Sequence, residues 1–312
     1  MFLEFKNTEI GYKNSLIKGI NASLDLGQIC LIIGNNGVGK TTLIKSILHQ
    51  IQTLKGEISL NGKSVKSLSN KEIAEQIAVV FSKSQIPANY TLTDLIALGK
   101  YIHYPYYFEL IDKDKQEVEE IIESLNLGQY KNFPLQKLSD GNLQKAFIGR
   151  ALAQNSPMII LDEPTTHLDE ENKIIILKLL RKLAKTQNKL ILFSSHDWRL
   201  SKEFADQIWL INDYTLDAGI TEDILLKHDE LLNPHLFHFD HSFVAPQIIA
   251  PNLQKEMLYS FLQKNCKKNL SDLKFEFSEG YWEISGNNIQ QKHQSFKDIL
   301  LFLEKLDQYN QF

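Results

Sequence analysis

A chain of 312 residues with 43% apolar side chains suits one large domain plus an appendage and can bury a sizeable core. Its 34 basic and 38 acidic residues, net charge −4, give no reason to expect nucleic-acid binding. Two cysteines, Cys30 and Cys266, suggest neither a disulfide framework nor a zinc site and fit a reducing compartment. The N-terminal stretch MFLEFKNTEI lacks the cationic start and apolar core of a signal peptide. No apolar run approaches the roughly 18 residues of a spanning helix, so the expectation is a soluble chain that meets a membrane only through a partner.

In chain order, Phe2–Phe5, Ile17–Leu26 and Ile29–Ile33 are strand-like runs separated by turn signals. Residues 34 to 42, GNNGVGKTT, follow directly and match G-x-x-x-x-G-K-[ST], with Gly34, Gly39, Lys40 and Thr41 in the required places. Leu43, Ile44, Ile47 and Leu48 then recur at helical spacing. Strand, glycine loop and helix together make a phosphate cradle. Gly34, Gly37 and Gly39 let the backbone approach a ligand without Cβ obstruction. The N–H groups of the loop, through Asn35, Asn36, Val38 and Thr42, converge on an anion at a helix N-terminus. Lys40 reaches the β- and γ-phosphates and the Thr41 hydroxyl ligates Mg²⁺. The chain is therefore expected to bind ATP with Mg²⁺. Cys30, inside the preceding strand, reads as a small buried hydrophobe.

Upstream, Tyr12 is either a packing residue or an aromatic that stacks on a purine base. Downstream, Gly56–Gly62 reads as a strand ending in an Asn-Gly turn, Lys71–Ile77 as a short helix and Ile77–Phe81 as a buried strand. A polar stretch, 82–89, leads to a helix near Thr91. The aromatic run Tyr101–Phe108 is either a partner surface or a helix-to-loop core. Residues 114–127 form an amphipathic helix with Val118, Ile121, Ile122 and Leu125 on one face. Leu138–Asn142, LSDGN, opens a helix over Leu143–Ala153. Pro157–Leu161 is a wholly apolar strand ending in Asp162 and Glu163, as suits a central parallel strand covered on both faces. Lys173–Ala184 is helical; Lys189–Ser195 is a further apolar strand ending in His196, and 207–211 another. Ligands of open α/β sheets bind at the carboxyl ends of strands, where the loop, both acids and His196 would meet. At such an end His196 is either a satisfied polar residue or, as the shared edge favours, a γ-phosphate contact. The βαβα order implies a mainly parallel sheet with right-handed crossovers.

With these residues in hand, the chain resembles the ATP-binding cassette (ABC) ATPases over roughly residues 1 to 225. The glycine loop corresponds to Walker A and Ile159–Asp162 to Walker B. The resemblance makes Asp162 a metal ligand and Glu163 the group that polarises the attacking water. LSDGN stands where LSGGQ is expected, keeping Ser139 and Gly141 but departing at Asp140 and Asn142. Thr166–Asp169 looks like the D-loop, which carries Asp169 to the nucleotide; His196 looks like the switch histidine and Tyr12 like the A-loop aromatic. The Q-loop glutamine, a Mg²⁺ contact, should follow Ile77–Phe81. Lys83 holds that spacing and Gln85 lies two residues on, so either the loop is shifted and Gln85 serves, or the metal lacks this ligand. Within the family, Thr91–Tyr101, TLTDLIALGKY, is similar to a stretch of importers for iron–siderophores, haem and cobalamin.

The resemblance implies an α/β P-loop NTPase over 1–240, with a mainly parallel sheet, an antiparallel β edge and a helical subdomain at about 88–155. It implies an ATPase with Lys40, Glu163 and His196 as catalytic residues. The partners it implies are a second copy of the chain, transmembrane permease subunits and, indirectly, a substrate-binding protein, at the cytoplasmic face of the membrane and without nucleic acid. An exporter ATPase and a soluble or regulatory ABC-type ATP-binding protein are the alternatives. A linker is expected at Val244–Pro251, which carries Pro246 and Pro251. Beyond it Leu253–Asn265, a hairpin turning at Glu279-Gly280, and Ser295–Leu306 make 241–312 a small α/β appendage.

Overall fold

Five consecutive residues, Ile29–Ile33, are buried without exception, and the first unit is built around them. The computed structural model describes residues 1–81, 89–104, 109–165, 168–195, 204–228, 244–265, 269–286 and 289–309. It divides into two compact units, Met1–Leu232 and Asn233–Phe312. The boundary expected at 240/241 falls in residues 229–243, outside those described.

In the first unit the strands are β1 (Leu3–Gly11), β2 (Ser15–Leu24), β3 (Ile29–Ile33), β4 (Lys55–Leu60), β5 (Lys63–Ser64), β6 (Ile77–Val80), β7 (Met158–Asp162), β8 (Leu190–Ser195), β9 (Gln207–Asn212) and β10 (Thr215–Ile220). The helices are α1 (Lys40–Ile47), α2 (Asn70–Gln76), α3 (Leu92–Ala97), α4 (Asp112–Ser124), α5 (Asp140–Ala153), α6 (Glu170–Gln187) and α7 (Thr221–Lys227). A six-stranded sheet runs β10-β9-β3-β8-β7-β6, parallel except for β10. An antiparallel sheet, β2-β1-β4-β5, is separate. Alternation along β3 explains its wholly apolar sequence. Ile29, Leu31 and Ile33 join a core with α3, α4, α5 and α6, while Cys30 and Ile32 join one with α1 and the antiparallel sheet. Burial pushes the Cys30 thiol up, in keeping with a purely apolar role.

The opposite end of β3 is tied by one carboxylate. Asp206 Oδ2 accepts from Ile29 N (2.9 Å) and Lys185 Nζ (3.0 Å), and Oδ1 from Arg181 Nη1 (2.9 Å). Partial burial pushes this carboxyl up, but the Ile29 N–H, Lys185 and Arg181 outweigh it and hold it below its ordinary value.

In the helical subdomain, α3 begins with a capping box: Thr91 Oγ1 accepts from Asp94 N, and Asp94 Oδ2 from Thr91 N. A 3₁₀ turn, Leu98–His103, then crosses α5 at Gly99. A Cβ on Gly99 would lie 2.1 Å from Arg150 O and 2.8 Å from Ala153 Cβ, so only glycine permits this approach. Lys100 is buried and ion-paired with Asp114 (3.2 Å) and Glu117 of α4. From α5, Arg150 Nη2 donates to Val79 O of β6 (3.2 Å) and Gln154 Nε2 to Ile77 O (3.0 Å). Of the aromatic run, Tyr101 is exposed; 105–108 lie outside the described residues.

The second unit contains β11 (Gln247–Ile249), α8 (Asn252–Asn265), β12 (Lys274–Ser278), β13 (Tyr281–Gly286), β14 (Ile289–His293) and α9 (Phe296–Tyr309), with sheet order β11-β12-β13-β14. Leu258 and Leu262 of α8, with Ile299, Phe302 and Leu303 of α9, pack on Phe275, Trp282 and Ile284. The β12–β13 turn uses Glu279 (φ 49°) and Gly280 (φ 86°), the paired positive φ of a tight hairpin. The linker expectation needs correction: Gln247–Ile249, between the two prolines, pairs in parallel with β12.

Gly99→Ala should destabilise the first unit by about 1–3 kcal/mol through overpacking, read as a lower urea midpoint; an unchanged midpoint would contradict the contact. For Asp206→Asn the sign follows from a lowered folded pKa. Wild type should be the more stable above the unfolded value near 3.8, and that difference should vanish as pH falls through the lower folded value. Urea titrations of both proteins from pH 7 to pH 3 measure it, and a pH-independent difference would refute the assignment.

Candidate functional site

At the carboxyl end of β3 the chain turns through Gly34–Gly39 into α1. A Cβ on Gly34 would stand 2.7 Å from Val38 Cγ1 and 2.8 Å from Ile211 O at the end of β9. Gly37 (φ 83°) and Gly39 (φ 115°, the N-cap of α1) lie in the left-handed region. Asn35, Asn36 and Gly37 are exposed, and Val38 N donates to Asn35 O (3.3 Å). The loop is thus an exposed backbone cradle in front of a helix N-terminus, the arrangement that favours an anion.

Lys40 is 6% exposed and folds back over this loop. Its Nζ donates to Gly34 O (2.8 Å) and Asn35 O (3.3 Å) and lies 3.8 Å from Glu163 Oε1. One residue on, Thr41 Oγ1 donates to Asp162 Oδ2 at 3.0 Å. Thr42 is buried beneath the loop. The parallel register pairs Asp162 with Ser194, and Ser194 Oγ donates to Asp162 Oδ1 at 2.7 Å. The same Ser194 Oγ accepts from Glu163 N at 2.9 Å. Both oxygens of the buried Asp162 therefore take a hydroxyl donor. Glu163 holds φ 53°, uncommon for a residue with a Cβ and costing on the order of 1–3 kcal/mol. That backbone turn and the Ser194 bond aim its side chain toward Lys40. Nothing in the sequence alone marks Ser194 as functional; its one signal there is a second hydroxyl residue before the strand end.

The structure brings Gly34–Thr42, Asp162 and Glu163 together at one sheet edge. The profile of the ABC transporter family matches residues 17–166. The iron(3+)-hydroxamate import ATP-binding protein FhuC of Bacillus subtilis is 34% identical over 261 residues, 83% of this chain and 95% of that protein. The chain belongs to the ABC transporter ATP-binding proteins. An uncharacterised ABC transporter ATP-binding protein of Methanocaldococcus jannaschii is 36% identical over 74% of this chain and 80% of its own length. Among solved structures, an inward-facing transporter assigned to the metal-chelate type superposes with a TM-score of 0.66 at 28% identity, over 75% of this chain and 89% of that chain. The first unit is thus an ABC cassette, and the enzyme class is ATPase.

The remaining expected positions of the cassette fall elsewhere. Ser139 is exposed and is the N-cap of α5, its Oγ accepting from Asn142 N at 3.3 Å. The helix expected from Leu143 therefore starts at Asp140, placing Gly141 within its first turn. A Cβ at Gly141 would touch Leu168 Cδ2 at 3.4 Å. Asp169 caps α6: its Oδ1 accepts from Asn172 N (2.8 Å), and that N–H holds the carboxyl below its usual range. Among the described residues no hydrogen bond joins Ser139, Gly141 or Asp169 to the cradle. Tyr12 is 62% exposed in the β1–β2 turn, and β2 carries Ile17 to 3.6 Å from a Cβ built on Gly39. Thr166, Lys83, Gln85 and His196 lie outside the described residues; β8 ends at Ser195, opposite Ile33. Among the described residues no helix is long and apolar enough to cross a membrane.

Ser194→Ala would strip Asp162 of one donor and Glu163 N of its acceptor. We expect a loss of about 1–3 kcal/mol in stability together with slower ATP turnover. Equal turnover and urea midpoint in the variant would show that neither bond matters.

Proposed function

We propose that this chain is the ATP-hydrolysing subunit of an importer for metal chelates of the iron–siderophore, haem or cobalamin type. The observation that carries the reading is the Lys40–Glu163–Asp162–Thr41 cluster at the cradle, within a chain that is similar along 95% of an iron(3+)-hydroxamate import subunit.

Lys40 would contact the γ-phosphate, and the N–H groups of residues 35–42 would hold the β-phosphate. Thr41 Oγ1 and Asp162 Oδ2 are a hard oxygen pair that fits Mg²⁺, which neutralises phosphate charge when bound. Gln85 and His196 join this reading by their place in the sequence alone, as further metal and γ-phosphate contacts. Glu163 would orient a water and take its proton as the water oxygen bonds to the γ-phosphorus. The bond from that phosphorus to the β–γ bridging oxygen breaks, leaving ADP and inorganic phosphate. Tyr12, exposed beside strand β2, would stack on the base.

Ser139 and Gly141, at the N-terminus of the fourteen-residue α5, would cap the nucleotide of a second copy. One motif set per chain then gives a two-fold homodimer with two composite sites, which Asp169 would also approach. Dimer closure would drive permease subunits at the cytoplasmic face of the membrane, with the substrate-binding protein met only through the permease.

Glu163→Gln should lower ATP turnover by about 10²–10⁴-fold while nucleotide affinity stays within a few-fold; Lys40→Ala should lose affinity. Turnover retained in the first variant would sink the general-base role. ATP-dependent uptake of a radioactive ferric hydroxamate, by vesicles holding this chain with its permease, tests the cargo class separately.

A further inference from the structure

Within the second unit the edge strand β14 breaks the rule its neighbour follows. Register pairs Trp282 with His293 and Ile284 with Gln291, so these four residues share the face that turns toward the helices. On β13 the inward positions are apolar and buried; on β14 Ile289 follows the same rule, while Gln291 and His293 are polar. His293 packs its ring on Phe302 at 5.2 Å, and its Nε2 is buried with no hydrogen-bond partner among the described residues. A buried ring nitrogen left so costs about 1–3 kcal/mol and calls for an explanation.

Opposite β14, α9 presents Asp298, Leu301, Phe302 and Lys305, spaced i, i+3, i+4 and i+7 on one face. Between strand and helix lies a groove of about 840 Å³, within the range of small-molecule sites and lined, among the described residues, by ones within 281–305. Its floor is apolar: Ile289, Leu301 and Phe302. Leu301 is 48% exposed, high for a leucine within a lined cavity. Its charges are unequal in availability. Asp298 already accepts from Ser295 Oγ (2.7 Å) as part of the helix cap. Lys292 leans on Tyr281, with Nζ 2.9 Å from its hydroxyl and 4.4 Å from the ring centre, and keeps its charge at the rim. Lys305 makes no hydrogen bond or ion pair among the described residues. Burial lowers the His293 pKa against the pull of Asp298.

We propose that this groove is a binding site for a small organic acid with an apolar body. The carboxylate is held by Lys305 and Lys292, and the body lies on Leu301 and Ile289 beside the His293 ring. Its lining belongs to the second unit and includes no residue of the ATP cradle.

Calorimetric titration of the full chain with 4-phenylbutyrate, its neutral amide and inorganic phosphate tests this. The acid should bind once per chain, about tenfold more tightly than the amide or phosphate, and should shift the His293 ring signals in NMR spectra. Leu301→Asp alters an exposed side chain and sets a negative charge on the floor; it should weaken the acid at least about tenfold. Lys40→Ala should leave this binding unchanged, which separates it from the ATP site. Absent binding by the acid, equal binding of acid and amide, or an unaffected Leu301→Asp variant would overturn the proposal. So would a change in the sedimentation of ligand-free Leu301→Asp protein, which would mark the groove as a surface covered by a second copy.

Discussion

One buried carboxylate organises the ATPase unit. Asp162 ends a strand buried on both faces and accepts a hydroxyl hydrogen bond on each oxygen, from the first turn of the cradle helix and from the neighbouring strand. A buried carboxyl group in such a place is tolerable only when its oxygens are satisfied. The requirement therefore links three segments far apart in sequence: Thr41, Asp162 and Ser194. Ser194 then passes the constraint on by accepting the Glu163 N–H, so the backbone of the proposed base is placed by the same bonds that satisfy its neighbour.

A second chain of constraints runs through the helical subdomain. Gly99 lets the 3₁₀ turn lie against α5, the helix that Ser139 caps, and His103 Nε2 donates to Gln154 O at its far end. Gln154 and Arg150 then bond to carbonyls of β6, the strand that precedes residues 82–88. Close backbone approach and side-chain-to-carbonyl bonds resist sliding better than apolar contacts alone, because each has one good geometry. The α3 region, α5 and the end of β6 are thereby held in one arrangement within the unit.

Much of this was legible in the residues. The cradle is a local device: its glycines, lysine and threonine act through fixed spacing on one strand, one turn and one helix. Wholly apolar runs betrayed the parallel strands because both faces are covered. What stayed hidden depends on register or on cap geometry. Ser194 matters only because parallel pairing sets it opposite Asp162. The apolar pattern marks the start of α5 at Leu143, its first apolar residue, because a side-chain cap at Ser139 leaves no hydrophobic trace. Strand β1 runs on to Gly11 past Asn7 (φ 43°) and shifts in register, interruptions that mimic a turn. In the second unit, prolines on both sides of Gln247–Ile249 disguised an edge strand as a linker.

The surroundings of Lys40 change how an incoming anion must be thought of. An ammonium has three N–H bonds to direct. Here two carbonyls take Nζ donors and a carboxylate stands 3.8 Å away, in a place where the side chain is only 6% exposed. On the proposed reading, a phosphate arriving at this lysine would not add to a bare cation but would compete with an anion already resident. The strength of the encounter would then be the difference between two charge contacts, with Glu163 as the competing partner.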